Sequence, residues 1–290
     1  MTREYAVLAV RVVSVSFAAI FIRIAEAPPL VIATYRLCLA SLILLPIGWM
    51  RSRRELHRLS RREIFMALLS GAFLALHFGL WIASLSYTSV ATSVVLVTIN
   101  PIFVAIGSRL FFGEPFHRQT VLGIVICLTG GALVTYGNWR LGINSLLGGL
   151  LALLGALAVT GYFLIGRRLR QNVGLLSYTC LVYGSAALLL LLITLALGYS
   201  LSGYSITTYV MLVLLALVPQ LLGHSALNWS LRFVSATIVT IAILGEPVGA
   251  TAWALLILGE VPTLMEIVGG ILILAGIFVA LQQRKMPLLR

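Results

Sequence analysis

"TINPIFVAIGSRLFFGEP", residues 98–115, is answered 146 positions later by "LGEPVGATAWALLILGEV", residues 244–261. Both are apolar runs of helical length interrupted by a proline, and in both a polar residue stands just before it: Asn100 before Pro101, Glu246 before Pro247. A proline inside a helix removes one backbone donor and leaves the carbonyl four residues earlier without its partner. Both runs then reach Gly-Glu, at Gly113-Glu114 and Gly259-Glu260. The duplicated punctuation makes each run one element of a repeated unit.

Working outward, the offset of 146 holds without a gap from residues 84–130 against 230–276. Identities include Ser84/Ser230, Ser89/Ser235, Pro101/Pro247, Gly113/Gly259, Glu114/Glu260, Gly123/Gly269 and Gly130/Gly276. Leucine matches mean little in so apolar a chain, but glycines and prolines at equal intervals mark a repeat. The first helices of the halves agree more loosely, "FIRIAEAPP" at 21–29 facing "FLIGRRLRQN" at 163–172.

The medium around these runs follows from composition. Of 290 residues, 61% are hydrophobic and 10% charged, and the mean hydropathy is +1.09, far more apolar surface than a water-soluble core hides. Runs of about 20 residues suit a hydrocarbon layer roughly 30 Å thick. Ten are predicted: 5–25, 29–49, 64–86, 89–112, 118–137, 146–166, 174–197, 207–230, 235–258 and 265–283. The longest polar stretch, "RSRRELHRLSRRE" at 51–63, is too short for a folded domain.

Charge orients the chain. With the amino terminus in the cytoplasm, Arg3, Arg51, Arg53, Arg54, Arg58, Arg61, Arg62, Arg109, Arg118, Arg167, Arg168, Arg170, Arg232, Arg284, Lys285 and Arg290 fall inside, Arg23 and Arg140 outside, and Arg11 and Arg36 within the helices. The net charge of +12 is therefore the positive-inside signal of a multi-pass membrane protein rather than a nucleic-acid footprint, and no basic module with interleaved aromatics accompanies it. The "AEA" at 25–27 resembles a signal-peptidase site, but Arg11 interrupts the apolar core and the repeat needs this helix, so the segment reads as uncleaved.

Five crossings per half is an odd number, so the second half enters from the opposite face. The expected fold is an all-α membrane protein of ten transmembrane helices in two inverted five-helix repeats, residues 1–140 and 141–290, with both termini cytoplasmic. The chain resembles the drug/metabolite transporter superfamily in its ten-helix EamA-type branch. The resemblance rests on "NPIFVAIGSRLFFGEP" at 100–115 and "EPVGATAWALLILGE" at 246–260, each followed by a glycine-bearing last helix, and on Arg36 in "ATYRLCLASLILL". It implies an inner-membrane secondary transporter. Aromatic amino-acid exporters are the nearest functional picture, and other members move nucleosides, drugs and further metabolites.

Polar residues inside the crossings are the candidate site. Asn100 and Glu246 are each the twelfth residue of a crossing, near the midplane, where ionisable groups are costly and face a cavity or a partner. His77 and Trp81 are four apart on one helical face. Around the corresponding Gly223 and Leu227, the neighbours His224, Asn228 and Trp229 supply similar chemistry. Tyr162 and Ser16 are weaker candidates for the same cavity, expected between crossings 1, 3, 4, 6, 8 and 9. Pro101 and Pro247 are the expected helix breaks. Glu246 is the candidate for proton coupling or for an ion pair with Arg36, while Arg11 lies close enough to the cytoplasmic face to snorkel. Trp49, Trp139, Tyr199 and Tyr204 read as interfacial anchors.

Other chemistry is absent from the sequence. Lys285 is the sole lysine, so no Walker A motif exists; there is no aspartate and no HExxH, and "GHSAL" at 223–227 lacks the final glycine of a nucleophile elbow. An enzyme is not expected, nor is any cofactor. Cys38, Cys127 and Cys180 are odd in number and have no metal-ligand spacing. Small-residue stripes, Gly123–Cys127–Gly131 and Gly269 with Gly276, permit close helix approach. They serve either packing within the chain or a homodimer contact, beside the two expected partners, a small-molecule substrate and the lipid bilayer.

Overall fold

In hydrocarbon there is no water to satisfy a backbone N–H or C=O, so a membrane chain bonds its backbone internally, and helices do this within one segment. The structure, a computed structural model, describes residues 2–113, 118–141, 143–233 and 236–281. Glu114, Pro115, Ser235, Arg284, Lys285 and Arg290 lie outside these residues, as does the side chain of Trp139. Among the described residues there are thirteen α-helices, two π-helical segments and no strand.

In order the helices are α1 Thr2–Ser16, α2 Ala18–Ile24, α3 Pro29–Leu56, α4 Arg61–Ser84, α5 Val90–Val97, α6 Asn100–Phe112, α7 Arg118–Leu141, α8 Ile143–Leu169, α9 Leu175–Ala196, α10 Ile206–Leu215, α11 Ser225–Phe233, α12 Ala236–Trp253 and α13 Leu264–Leu281. The π segments are Ala216–His224 and Ala254–Leu258. Seven helical stretches are long and apolar enough to cross a membrane, and two shorter apolar ones are Gly245–Leu258 and Leu264–Val279. Large apolar side chains face outward on them: Leu42, Met50, Leu76, Leu128, Leu154 and Leu192 are all more than 40% exposed, as lipid-facing surfaces require.

The two prolines act differently. α5 ends at Val97, and α6 starts afresh at Asn100 with Pro101 in its first turn. The carbonyl that Pro101 deprives of a helical donor does not stay open, because the Asn100 side-chain Nδ2 donates to Val97 O at 3.0 Å. Pro247, expected to break its helix as well, lies inside a continuous α12. One missing rung is tolerable where the turns on either side keep their own bonds. The irregularity comes later, in the π segment Ala254–Leu258. A further proline unforeseen as a break, Pro219, sits within the other π segment. Gly113 and Gly259, 146 positions apart, both cap their helices in the left-handed region, at φ 69° and 68°, which L side chains rarely adopt.

Two helix pairs cross reciprocally. On α7 and α13, a Cβ on Gly130 would lie 2.6 Å from Gly269 O, and one on Gly276 would lie 2.7 Å from Gly123 O; between them the Cys127 thiol donates to Ile273 O at 3.3 Å. Position 123 thus meets the counterpart of 130, and 130 meets the counterpart of 123, along antiparallel helices. On α3 and α9, Thr34 and Thr194 share a hydrogen bond of 2.8 Å, and a Cβ on Gly48 would collide with Cys180 Sγ; 34 and 180 are counterparts, as are 48 and 194. The close-approach residue on α7 is Gly130 rather than Gly131, whose Cβ would meet only Ile99 Cδ1 at 3.8 Å. Both stripes are used within the chain. α4 packs on α8, and α1 on the π segment and α11.

Candidate solute cavity

A cavity of about 40 Å³ is lined by residues from α1 to α12: Arg11, Val15, Ala18, Arg36, His77, Trp81, Val97, Thr98, Asn100, Val159, Phe163, His224, Leu227 and Glu246. The sequence reading assigned five of these to the cavity, His77, Trp81, Asn100, His224 and Glu246, and singled out Arg36 as an ion-pair candidate for Glu246. Two lining pairs, Trp81 with Leu227 and Asn100 with Glu246, are counterparts at the 146 offset.

Arg11 enters from α1 and does not snorkel. Its side chain is 5% exposed, and Nη2 faces Glu246 Oε2 at 3.4 Å. The spacing Arg11–Val15–Ala18, one helical face, is the signal that places it on the cavity. The ion pair of Glu246 is thus with Arg11, not with Arg36. Arg36 instead donates from Nε to Gln220 Oε1 at 2.8 Å and lays its guanidinium over Phe78, with Cζ 4.1 Å from the ring centroid. Gln220 is a partner the sequence reading missed, though an amide one turn before His224 in an apolar helix was visible.

The aromatic wall forms on α4. The His77 and Trp81 rings lie 4° from parallel with centroids 6.0 Å apart, and the His77 Nδ1–H donates to Gly155 O at 2.9 Å, since a carbonyl can only accept. His77 and Trp81 are only 6% and 4% exposed, so both are packing residues as well as lining residues. His224 sets its ring edge-on to Phe78 at 5.3 Å.

Four sequence candidates fall elsewhere. Tyr162 donates to Asn228 Oδ1 at 2.7 Å, and Asn228 Nδ2 donates to Tyr183 OH at 3.2 Å, a buried polar layer beside the cavity. Ser16 donates to Val13 O and accepts from Trp253 Nε1 at 3.2 Å. Trp229 is half-buried and off the lining. Asn228 and Trp229 were assigned as neighbours of the repeat counterparts Gly223 and Leu227, and neither such proximity in sequence nor depth in a crossing fixes which way a side chain points. Among the anchors, Trp49 and Tyr199 are exposed, while Tyr204 donates to Ser200 O at 2.7 Å.

At the predicted outer end, Arg23 Nη2 pairs with Glu260 Oε1 at 2.9 Å, and the other Glu260 oxygen accepts Val90 N–H at 2.9 Å. Glu266 accepts from Ser89 and from Thr92 Oγ1 at the start of α5, where the helix dipole favours a carboxylate. All three cysteines are free, and among the described residues no cluster could hold a metal.

The profile of the EamA-like transporter family matches the chain over residues 3–136 and again over 146–282. An uncharacterized transporter of Bacillus subtilis (strain 168), YdfC, is 31% identical over 199 residues, 68% of this chain and 65% of YdfC, so this chain matches just under two thirds of that relative's length. A second from the same organism, YxxF, is 24% identical over 86% of this chain and 80% of its own. The pseudopaline exporter CntI of Pseudomonas aeruginosa (strain UCBPP-PA14) is 26% identical over 78% of each chain. A solved crystal structure superposes over 97% of both chains with a TM-score of 0.70 at 16% identity, a likeness of fold. With helices apolar enough to span a membrane and a profile matched over both halves, the chain belongs to the EamA-like transporter family.

Proposed function

We propose that the protein is an alternating-access secondary carrier of the inner membrane that exports small amphipathic metabolites, amino acids first among them, aromatic ones included. The observation that carries this reading is the cavity, which gathers Arg11, Arg36, His77, His224 and Glu246 deep among apolar helices, where charge is retained for a solute or ion pathway. Ten crossings in two inverted halves, 1–140 and 141–290, with both termini cytoplasmic, are supported by the double profile match, the antiparallel reciprocal crossings and the paired glycine caps. The direction is supported by CntI, an exporter by name.

At about 40 Å³ the cavity has room for roughly three waters. An organic solute therefore needs the halves to part, which favours a carrier over a passive facilitator. Nucleosides and drugs remain the alternative cargo classes. Counterflow in proteoliposomes, screened over a metabolite panel with and without a pH gradient, tests the reading: accumulation of label against an unlabelled internal pool supports a carrier, whereas equilibration without overshoot, or no movement of any organic solute, overturns it. Glu246 is the proposed proton-coupling residue. Glu246→Gln should keep exchange and lose the response to the pH gradient, with Arg11→Gln/Glu246→Gln as the control for the broken ion pair. A Gln variant that still concentrates solute on a proton gradient excludes it.

A further inference from the structure

The charges around the cavity do not cancel. Arg11 has Glu246 within 3.4 Å, but Arg36, 1% exposed, has no carboxylate partner among the described residues, and its Nη1 is buried without a hydrogen bond. A guanidinium left uncompensated at such depth is costly, yet this one is held in place by Gln220 and by the face of Phe78. Trp81 Nε1 and His224 Nδ1, on the same lining, are also buried without a hydrogen bond. The Trp81 ring lies 6.0 Å from Arg36 Cζ, and His224 meets the Phe78 ring over which Arg36 stacks. Arginine and tryptophan nitrogens donate and cannot accept, so the complementary group is rich in lone pairs and negatively charged.

We propose that Arg36, assisted by the Trp81 and His224 ring nitrogens, seats a carboxylate of the transported solute. The inference rests on the carrier reading above and names the group that reading leaves open. A carboxylate meets the one unpartnered guanidinium charge for charge, whereas a phosphate monoester, at about −1.5 to −2, carries more charge than Arg36 balances. A carboxylate also has enough lone-pair sites, about four, to take the Arg36 and Trp81 donors together with His224 in its Nδ1–H tautomer.

The test is binding to the purified protein, independent of transport. A panel of amino acids and their carboxamides, phenylalanine and phenylalaninamide among them, is scored by thermal stabilisation in detergent. A hydrogen bond to a charged group contributes about 1.5–3 kcal/mol, so at least one acid should bind about 10- to 100-fold more tightly than its amide. In Arg36→Gln that gap should close to within about threefold with amide binding retained. If Arg36→Gln does not fold, Trp81→Phe keeps the ring, loses one donor and should narrow the gap by about three- to tenfold. Equal binding of acid and amide, no binding by any panel member, a gap that survives in the variant, or displacement by inorganic phosphate in place of the acids overturns the assignment. Counterflow without carboxylate preference would leave the carrier standing and remove the subsite; carboxylate-selective binding without counterflow would do the reverse.

Discussion

Gly130 and Gly131 are neighbours in one helix, and the crossing of α7 with α13 predicts opposite outcomes for the same substitution. A Cβ on Gly130 would lie 2.6 Å from Gly269 O and 2.9 Å from Ile273 N, both backbone atoms that cannot swing aside. Ordinary contact begins at 3.4 Å, so the helices must part by about 0.8 Å. Overpacking of this kind costs about 1–3 kcal/mol. The upper end applies here, because in lipid close packing is the main attraction between helices. Replacing a helical glycine by alanine returns up to about 1 kcal/mol, leaving a net loss near 2 kcal/mol for Gly130→Ala. At roughly 2–4 °C per kcal/mol for chains of this size, the melting temperature in detergent should fall by about 4–8 °C. Gly131→Ala, whose Cβ would meet only Ile99 Cδ1 at 3.8 Å, keeps the propensity gain and should raise the melting temperature by up to about 4 °C. Gly269→Ala and Gly276→Ala should behave like Gly130→Ala. Equal effects at 130 and 131 would refute the crossing as drawn.

The Arg11–Glu246 contact predicts that Arg11→Met or Glu246→Gln alone costs about 3 kcal/mol by breaking a buried ion pair, and that the double variant recovers at least half; simple additivity in melting would show that the side chains do not interact. Trp81→Ala should destabilise by about 3–5 kcal/mol as a cavity mutant, so Trp81→Phe is the informative variant: it should melt within about 2 °C of wild type while slowing counterflow, and unchanged counterflow removes the indole N–H from the solute path. Glu266→Ala should cost about 1–3 kcal/mol by removing the acceptor of the Thr92 hydroxyl and of the Thr263 N–H, while Glu266→Gln, which keeps an acceptor oxygen, should cost less; equal losses would assign the effect to packing.

The helical, membrane-spanning character and the duplication were legible, because both are written in composition and in glycines and prolines, whose backbone consequences are local; of the ten crossings expected, seven helical stretches among the described residues are long and apolar enough. Gly113 and Gly259 show this, matched in sequence and then found at nearly the same φ. Direction around the helix axis was not legible. Tyr162 and Asn228 lie at the expected depth and bond each other away from the lining, because hydropathy that is high on every face carries no phase. Arg11 was misplaced for a related reason: an arginine near a helix end fits water and cavity equally until a carboxylate is found opposite. The break expected at Pro247 failed because proline removes one rung only, and neighbouring turns decide whether the helix stops there. The π segments, one of which ends on His224, have no sequence signature that residue spacing alone could supply.

Asn100 and Glu246 occupy one place in a design used twice, and they differ in what they can give. The asparagine spares an N–H for the carbonyl freed by its proline, whereas an ionised glutamate has none to offer. If the halves trade conformations, two identical halves would make the inside-facing and outside-facing forms equal in energy, a carrier with no resting side. Every mismatch between counterparts lifts that degeneracy, and about 1.4 kcal/mol of mismatch is already a tenfold bias. In such a carrier the resting side would be recorded in the residues by which the two halves disagree, and on this cavity wall the disagreement at 100 and 246 is one between a neutral donor and a charge.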